Sequence, residues 1–211
     1  MIWLFFTILF YLGGVVIYAL TKNSAEPTLR RTLKMSLSTI YLCLGLYSVI
    51  TNYSLLCLLL TIGFGFSWLG DLLLRVKFKL GGLCFALFNL LLITHNVTLM
   101  SQCFDLSTFT ILWSILLIAF ISFVICFKIH FNKLGILICI YASLICLTAI
   151  SGLMLLPTMN LPIILGSVVF TCSDVCLLTD EFFVKKDVLK VANSILYFTA
   201  MLLLSITYFI V

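Results

Sequence analysis

Charge is the scarcest commodity in this sequence. Only 9% of its 211 residues are Asp, Glu, Lys or Arg, and 64% are hydrophobic; a soluble domain carries about 25% charged residues. So little polarity cannot cover a globule in water, which excludes a soluble enzyme or binding domain and leaves the bilayer as the solvent. Histidine is scarce too, with two residues, and the nine cysteines contain no Cys-x-x-Cys pair. His-Glu-x-x-His, Ser-His-Asp and P-loop patterns are absent. No metal site, phosphate loop or cofactor is therefore expected, and the cysteines read as small buried apolar residues.

What fills the chain instead is a series of apolar runs with short polar breaks. About 20 residues cross the hydrocarbon core. The runs predict an all-α membrane bundle of eight helices, at roughly 2–20, 35–51, 55–75, 80–100, 107–127, 134–156, 161–179 and 188–210. The breaks are too short for a second domain, so residues 1–211 read as one integral membrane domain. The second run is the shortest and is rich in Ser, Thr and Tyr. The basic residues follow the same count. All 12 fall after the first, third, fifth and seventh runs, for example Arg30, Arg31 and Lys34, then Arg75, Lys77 and Lys79. The positive-inside rule makes those loops cytoplasmic and places both termini on the other side. The same bias accounts for the formal charge of +5 without a nucleic-acid partner. The first run has no basic segment before it, and its first charge, Lys22, comes after it. It reads as a retained helix and not as a signal peptide. Asn52-Tyr-Ser and Asn96-Val-Thr match glycosylation acceptors but lie at or inside the membrane boundary, so they read as chance.

Two of the seven acids lie inside apolar runs. An aspartate at a helix centre costs about 2.5–3.5 kcal/mol to insert, so Asp71 and Asp174 need a reason. Each sits among small residues: Gly63, Ser67 and Gly70 near Asp71, and Gly166, Ser167, Thr171 and Ser173 near Asp174. Small residues let helices approach closely. Both runs head toward the cytoplasm, so the aspartates occupy comparable depths. They stand about half the chain apart, which points to two parallel four-helix halves. Purely structural accounts exist for both. Asp71 precedes Arg75 by four residues, the favourable order for a helical ion pair. Asp174 has no cation within a turn and would hydrogen-bond to a neighbouring helix. His95, near the outer end of its run, and His130, in a loop, read as structural or interfacial.

At these segments the chain resembles the YhhN family, whose characterised vertebrate members are lysoplasmalogenases. The matching stretches are Phe66-Ser-Trp-Leu-Gly-Asp71-Leu-Leu-Leu, Gly82-Leu-Cys-Phe85, Phe170-Thr-Cys-Ser-Asp174 with Phe182 beyond it, and Tyr197-Phe-Thr-Ala200. Their order and spacing agree over about residues 32–205. Thr32-Leu-Lys34 is similar to a family Thr-Lys-Pro stretch, with Met35 in place of proline. Two positions depart: Asn89 stands where the family usually has histidine, and Met201 where it often has glutamine. His95 lies six residues past Asn89, about 9 Å along a helix, too far to take its place.

The resemblance implies hydrolysis of a lysoplasmalogen's vinyl ether to a fatty aldehyde and a glycerophospho-base. That chemistry suits two carboxyls. One protonates the vinyl carbon, and the other steadies the resulting cation and takes a proton from water. Close carboxyls cannot both ionise and titrate as a unit. Asp71 and Asp174 are the catalytic candidates, in a pocket open to the cytoplasmic leaflet, with their roles undivided. Asn89 and Tyr197 are candidates to orient water or the ether oxygen. Ser67 and Ser173 flank the aspartates, and Lys34 with its basic neighbours would meet the lipid phosphate. The expected partners are a lipid substrate and the membrane. The membrane would be plasma membrane in a bacterium and endoplasmic reticulum in a eukaryote. A non-catalytic lipid binder and a small proton-coupled transporter also place acids in a membrane.

Overall fold

The computed structural model describes residues 2–21, 27–74, 76–100, 110, 114 and 133–210. The elements among them are all helical: α1 (Ile2–Leu20), α2 (Pro27–Thr51), α3 (Leu55–Leu73), α4 (Phe78–Met100), α5 (Lys133–Leu153), a 3-10 turn (Leu156–Thr158), α6 (Leu161–Leu178), a π-helical turn (Thr179–Phe183), α7 (Asp187–Ser205) and a short α8 (Thr207–Ile210). Seven of the helices are long and apolar enough to cross a membrane. The run expected at 107–127 lies outside the described residues, apart from Thr110 and Ser114, which are helical.

The main departure concerns α2. It begins at Pro27, well before the expected start at 35. Hydropathy falls where Arg30, Arg31 and Lys34 enter, but a helix need not end where its apolar run ends. Pro27 suits a first helical position, since its missing N–H would be unsatisfied there anyway, and long basic side chains can carry their charge beyond an apolar stem. Lys79, Lys133 and Lys190 likewise belong to helix ends and not to loops. Other boundaries have local causes. Ser54 starts α3, its hydroxyl accepting from the Cys57 N–H at 3.1 Å, which satisfies one of the orphan donors of a helix start.

Burial is inverted relative to a protein in water. Phe10 is 75% and Ile50 81% exposed, while Ser38, Asn89, His95, Asn96, Thr148 and Ser167 are fully enclosed. Lipid is as apolar as leucine, so helices associate through close packing and polar contacts. The most extensive pairings are α3 with α4 and α6 with α7; α2 packs on α3 and α5 on α6, and α4–α5 and α2–α7 contacts join the two sets. A buried polar cluster ties together one end of this assembly. His95 Nε2 meets the Tyr208 hydroxyl at 2.5 Å, and Nδ1 meets Asn96 Oδ1 at 3.0 Å. Asn96 Nδ2 donates to Ser151 and Ser167, and Asn52 Nδ2 donates to the Tyr208 carbonyl. Both asparagines of the acceptor-like motifs are thus used internally.

Close approach is tightest where α5 meets α6. A Cβ on Gly152 would lie 2.4 Å from Ser167 Cβ, an atom fixed to its own backbone and unable to swing aside. At Gly65 a Cβ would meet nothing within 4 Å. Gly152→Ala should therefore lower stability by about 1–3 kcal/mol through overpacking, whereas Gly65→Ala should cost nothing and gain helix propensity. Thermal unfolding of the two purified variants in detergent measures the contrast.

Candidate active site

Asp71 and Asp174 line one cavity of about 220 Å³, together with Tyr18, Arg30, Lys34, Lys190, Asn193 and Tyr197 among others. Each aspartate lies near the end of its helix, α3 or α6, and each is only 3% exposed. Their surroundings differ, and the difference defines the site.

Asp71 collects donors. Lys34 Nζ sits 2.7 Å from Oδ1, with side-chain exposures of 15% and 1% for the two partners. On Oδ2, Ser38 donates at 2.5 Å, Tyr197 at 2.7 Å and Tyr41 at 3.3 Å. One cation and three hydroxyls around one carboxyl match an acceptor-only, ionised carboxylate. Lys34, Ser38 and Tyr41 lie along one face of α2 at i, i+4 and i+7, so a single helix supplies three of the four donors. The fourth, Tyr197, comes from α7 and is itself steadied by Ser67, 2.8 Å from its hydroxyl. The rings of Phe85, Phe170 and Phe198 pack about Tyr197 at centroid distances of 5.8, 6.2 and 4.9 Å. Gly70 makes room for this arrangement: a Cβ there would stand 3.0 Å from the Phe85 ring.

Asp174 has neutral company. Asn89 Nδ2 donates to Oδ2 at 3.1 Å and the Tyr141 hydroxyl donates to the same oxygen at 2.9 Å. Among the described residues Asp174 makes no ion pair, and Oδ1 has no protein partner. The Asn89 amide is held in a fixed sense, because Thr148 Oγ1 donates to Asn89 Oδ1 at 2.6 Å. That leaves its NH₂ group for Asp174 and for the Phe85 carbonyl, 3.1 Å away.

The expected pairing thus takes a modified form. The two carboxyls share a cavity but no hydrogen bond, and each has its own donors. Of the residues singled out from the sequence, Lys34, Asp71, Asp174 and Tyr197 line the cavity. Ser67 and Asn89 stand behind it, acting on Tyr197 and Asp174. Ser173 turns to α7, donating to Asn193 Oδ1 at 2.7 Å. Lys34, expected at a lipid phosphate, is engaged by Asp71. Arg75, the expected helical partner of Asp71, lies outside the described residues. Asp174 does make the helix-to-helix hydrogen bonds foreseen for it.

Sequence reasoning missed Ser38, Tyr41, Tyr141 and Thr148. The polarity of the second run was the available signal: of its Ser and Tyr residues, Ser38 and Tyr41 bond Asp71. Asp180, just past the seventh apolar run, was not singled out either. The π turn carries it into the cavity wall, buried, where its carboxylate accepts from the Lys186 N–H at 3.1 Å.

A buried ion pair is costly to break from one side only. Lys34→Met should destabilise the protein by about 3–5 kcal/mol, since it strands the Asp71 charge. Adding Asp71→Asn should recover a good part of that loss. A double-mutant cycle on unfolding in detergent reads the coupling, and additive effects would disprove it.

No curated protein and no solved structure matches the chain. A family model does, over most of its length and including every residue of this cavity wall from Arg30 to Phe198: with the YhhN family model matching residues 29–208, this multi-pass helical membrane protein belongs to the YhhN family.

Proposed function

We propose that the protein is a membrane-embedded ether hydrolase that cleaves the vinyl ether bond of a lysoplasmalogen, or of a related lysolipid ether, to a fatty aldehyde and a glycerophospho-base. The supporting observation is the contrast between two aspartates on one cavity. Asp174, with neutral donors on one oxygen and, among the described residues, no partner on the other, suits a carboxylic acid. Asp71, held by Lys34 and three hydroxyls, suits the carboxylate of the resting site.

The steps balance as follows. Asp174 gives its proton to the vinyl carbon remote from oxygen, and the double bond's electrons form the new C–H bond. The oxocarbenium ion left behind is stabilised by the Asp71 charge, which a low-dielectric site strengthens. Water adds to the cationic carbon and Asp71 accepts its proton, giving a hemiacetal. Collapse of the hemiacetal breaks the bond to the glycerol oxygen, which takes up the hydroxyl proton as the aldehyde forms. The proton on Asp71 returns to Asp174 through cavity water. Tyr197, on the cavity wall and bonded to Asp71, orients the attacking water, and Asn89 fixes the acid.

The finer architecture belongs to the same reading. The segment 107–127 is an eighth span, which makes two four-helix halves with both termini outside and the aspartate cavity on the cytoplasmic side. The hydrogen bonds support the two-half arrangement. Each aspartate accepts from a tyrosine of the preceding described helix, Tyr41 on α2 or Tyr141 on α5. Each also accepts from the last long helix of the other half, Tyr197 on α7 or Asn89 on α4. Asn89, in place of the family's usual histidine, favours one rival, a lipid binder without turnover.

Purified protein given lysoplasmalogen should release fatty aldehyde. Asp174→Asn and Asp71→Asn should each lower turnover by at least about 100-fold, the scale of a lost general acid or base, while remaining folded. Lipid binding with no aldehyde from the wild type would favour the non-catalytic reading, and full activity in either variant would refute the assignment.

A further inference from the structure

The hydrolase reading leaves the opposite end of the bundle unused. Thr51 stands 17 residues beyond Lys34 on α2, about 26 Å along the helix axis. A second cavity, of about 480 Å³, lies there beside Trp3, Tyr47, Thr51, Asn52, Tyr208 and Phe209. Aromatic rings from three helices wall it. Trp3 of α1 lies 4.9 Å from Tyr47 of α2, centroid to centroid, and 5.9 Å from Phe209 of α8, with interplanar angles of 71° and 80°. Tyr47 and Phe209 are nearly parallel, at 5.8 Å and 12°. The arrangement is held from behind. His95 meets the Tyr208 hydroxyl at 2.5 Å, and Asn52 Nδ2 donates to the Tyr208 carbonyl at 3.1 Å. Those two bonds seat the short α8 that carries Phe209. They also use the buried histidine that the aspartate site does not need.

We propose that this cavity binds the trimethylammonium head of a choline phospholipid, at a site distinct from the aspartate cavity. The assignment does not depend on the hydrolase reading. Three observations carry it. The first is electrostatic. None of the described residues lining the cavity is charged, so neither an anion nor a strongly hydrated ammonium finds a counter-ion there. Aromatic faces are negative, and a cation within about 6 Å of a ring centroid is attracted to them. A trimethylammonium spreads its charge over methyl groups and donates no hydrogen bond, so ring faces serve it better than they serve a primary ammonium. The second is geometry. Rings set nearly at right angles present faces to one volume from different directions, which a single stack does not. Trp3 and Tyr47 are 44% and 43% exposed, so these rings are not consumed by packing alone. The third is depth and size. Trp3, Thr51 and Phe209 each end an apolar stretch long enough to cross a membrane, which places the cavity at head-group level. Its volume falls within the roughly 300–1,000 Å³ of small-molecule pockets, with the acyl chains left in the lipid. Single aromatic anchors are common at this depth; three rings in mutual contact, from three helices, go beyond anchoring.

Fluorine NMR of the purified full-length protein, labelled with fluorotryptophan in a maltoside detergent, reads the site locally. The chain has three tryptophans, and the signal lost in Trp3→Leu belongs to Trp3. Dihexanoyl phosphatidylcholine should shift that signal saturably. Tyr47→Leu and Phe209→Leu should each weaken the titration roughly 5- to 30-fold, the scale of one desolvated cation–π contact, while Tyr47→Phe, which keeps the ring, should change it less than about threefold. Dihexanoyl phosphatidylethanolamine should bind at least about fivefold more weakly. Melting curves check the fold, and Tyr47→Leu, at a half-exposed position, provides a variant without a core defect. An equal response to the phosphatidylethanolamine or to dihexanoyl phosphatidylglycerol overturns the proposal, as does an unchanged titration in Tyr47→Leu; either leaves the rings as a membrane anchor. Choline chloride acting at the same concentration as the phospholipid overturns the lipid source and points to a soluble quaternary amine.

Discussion

Everything else in the molecule is arranged around a carboxylate with no bulk water to solvate it. Asp71 lies in an apolar helix at 3% exposure, and an ionised group so placed must be matched by protein donors or it disrupts the bundle. The match requires Lys34 to reach inward from α2, which requires α2 to extend past its apolar run. It requires the hydroxyls of Ser38 and Tyr41 on the same helical face. It also requires α7 to bring Tyr197 across, with three phenylalanines fixing its ring. A single charge thus determines the rotation of two helices and the composition of a third.

The second aspartate sets the contrast. Its donors are an amide and a phenol, and the amide is held in one orientation by Thr148. Two like residues, on α3 and α6, have been given unlike surroundings, one charged and one neutral. Environments that differ in this way let a pair of identical carboxyls take opposite parts in proton transfer. The aromatic residues of the family-like stretches belong to the same arrangement. Phe85 and Phe170 pack on Tyr197, and Gly70 is what lets Phe85 lie so close.

Much of this was legible beforehand, for identifiable reasons. Helix positions follow from long apolar runs, and seven appear where expected. Asp71 and Asp174 were conspicuous because a charge in such a run is expensive. The start of α2 was not legible, because hydropathy marks the edge of the apolar stretch and says nothing of a helix continuing with charged residues. The pairing of Asp71 with Lys34 was not legible for a related reason: Lys34 reaches it across a helix–helix contact, and such contacts depend on rotation and depth that a linear pattern does not record. Tyr41 and Tyr141 were overlooked because tyrosine is unremarkable in a membrane helix until something polar lies opposite it.

The π-helical turn at Thr179–Phe183 has a consequence of its own. Its closing bond runs from the Val184 N–H to the Thr179 carbonyl at 2.8 Å, one residue longer than an α-helical turn. Such a turn is what a helix looks like after accepting a single extra residue without being broken. Removing one residue here would restore a regular α-helix and rotate everything beyond it by about 100°, one residue's share of a 3.6-residue turn. Asp180 would then swing off the cavity wall, and the link to α7 would leave from a different side. The wall of the cavity is therefore sensitive to the length of this segment as much as to its chemistry: a one-residue difference between related chains at this point would reshape the pocket without any substitution of the residues that line it.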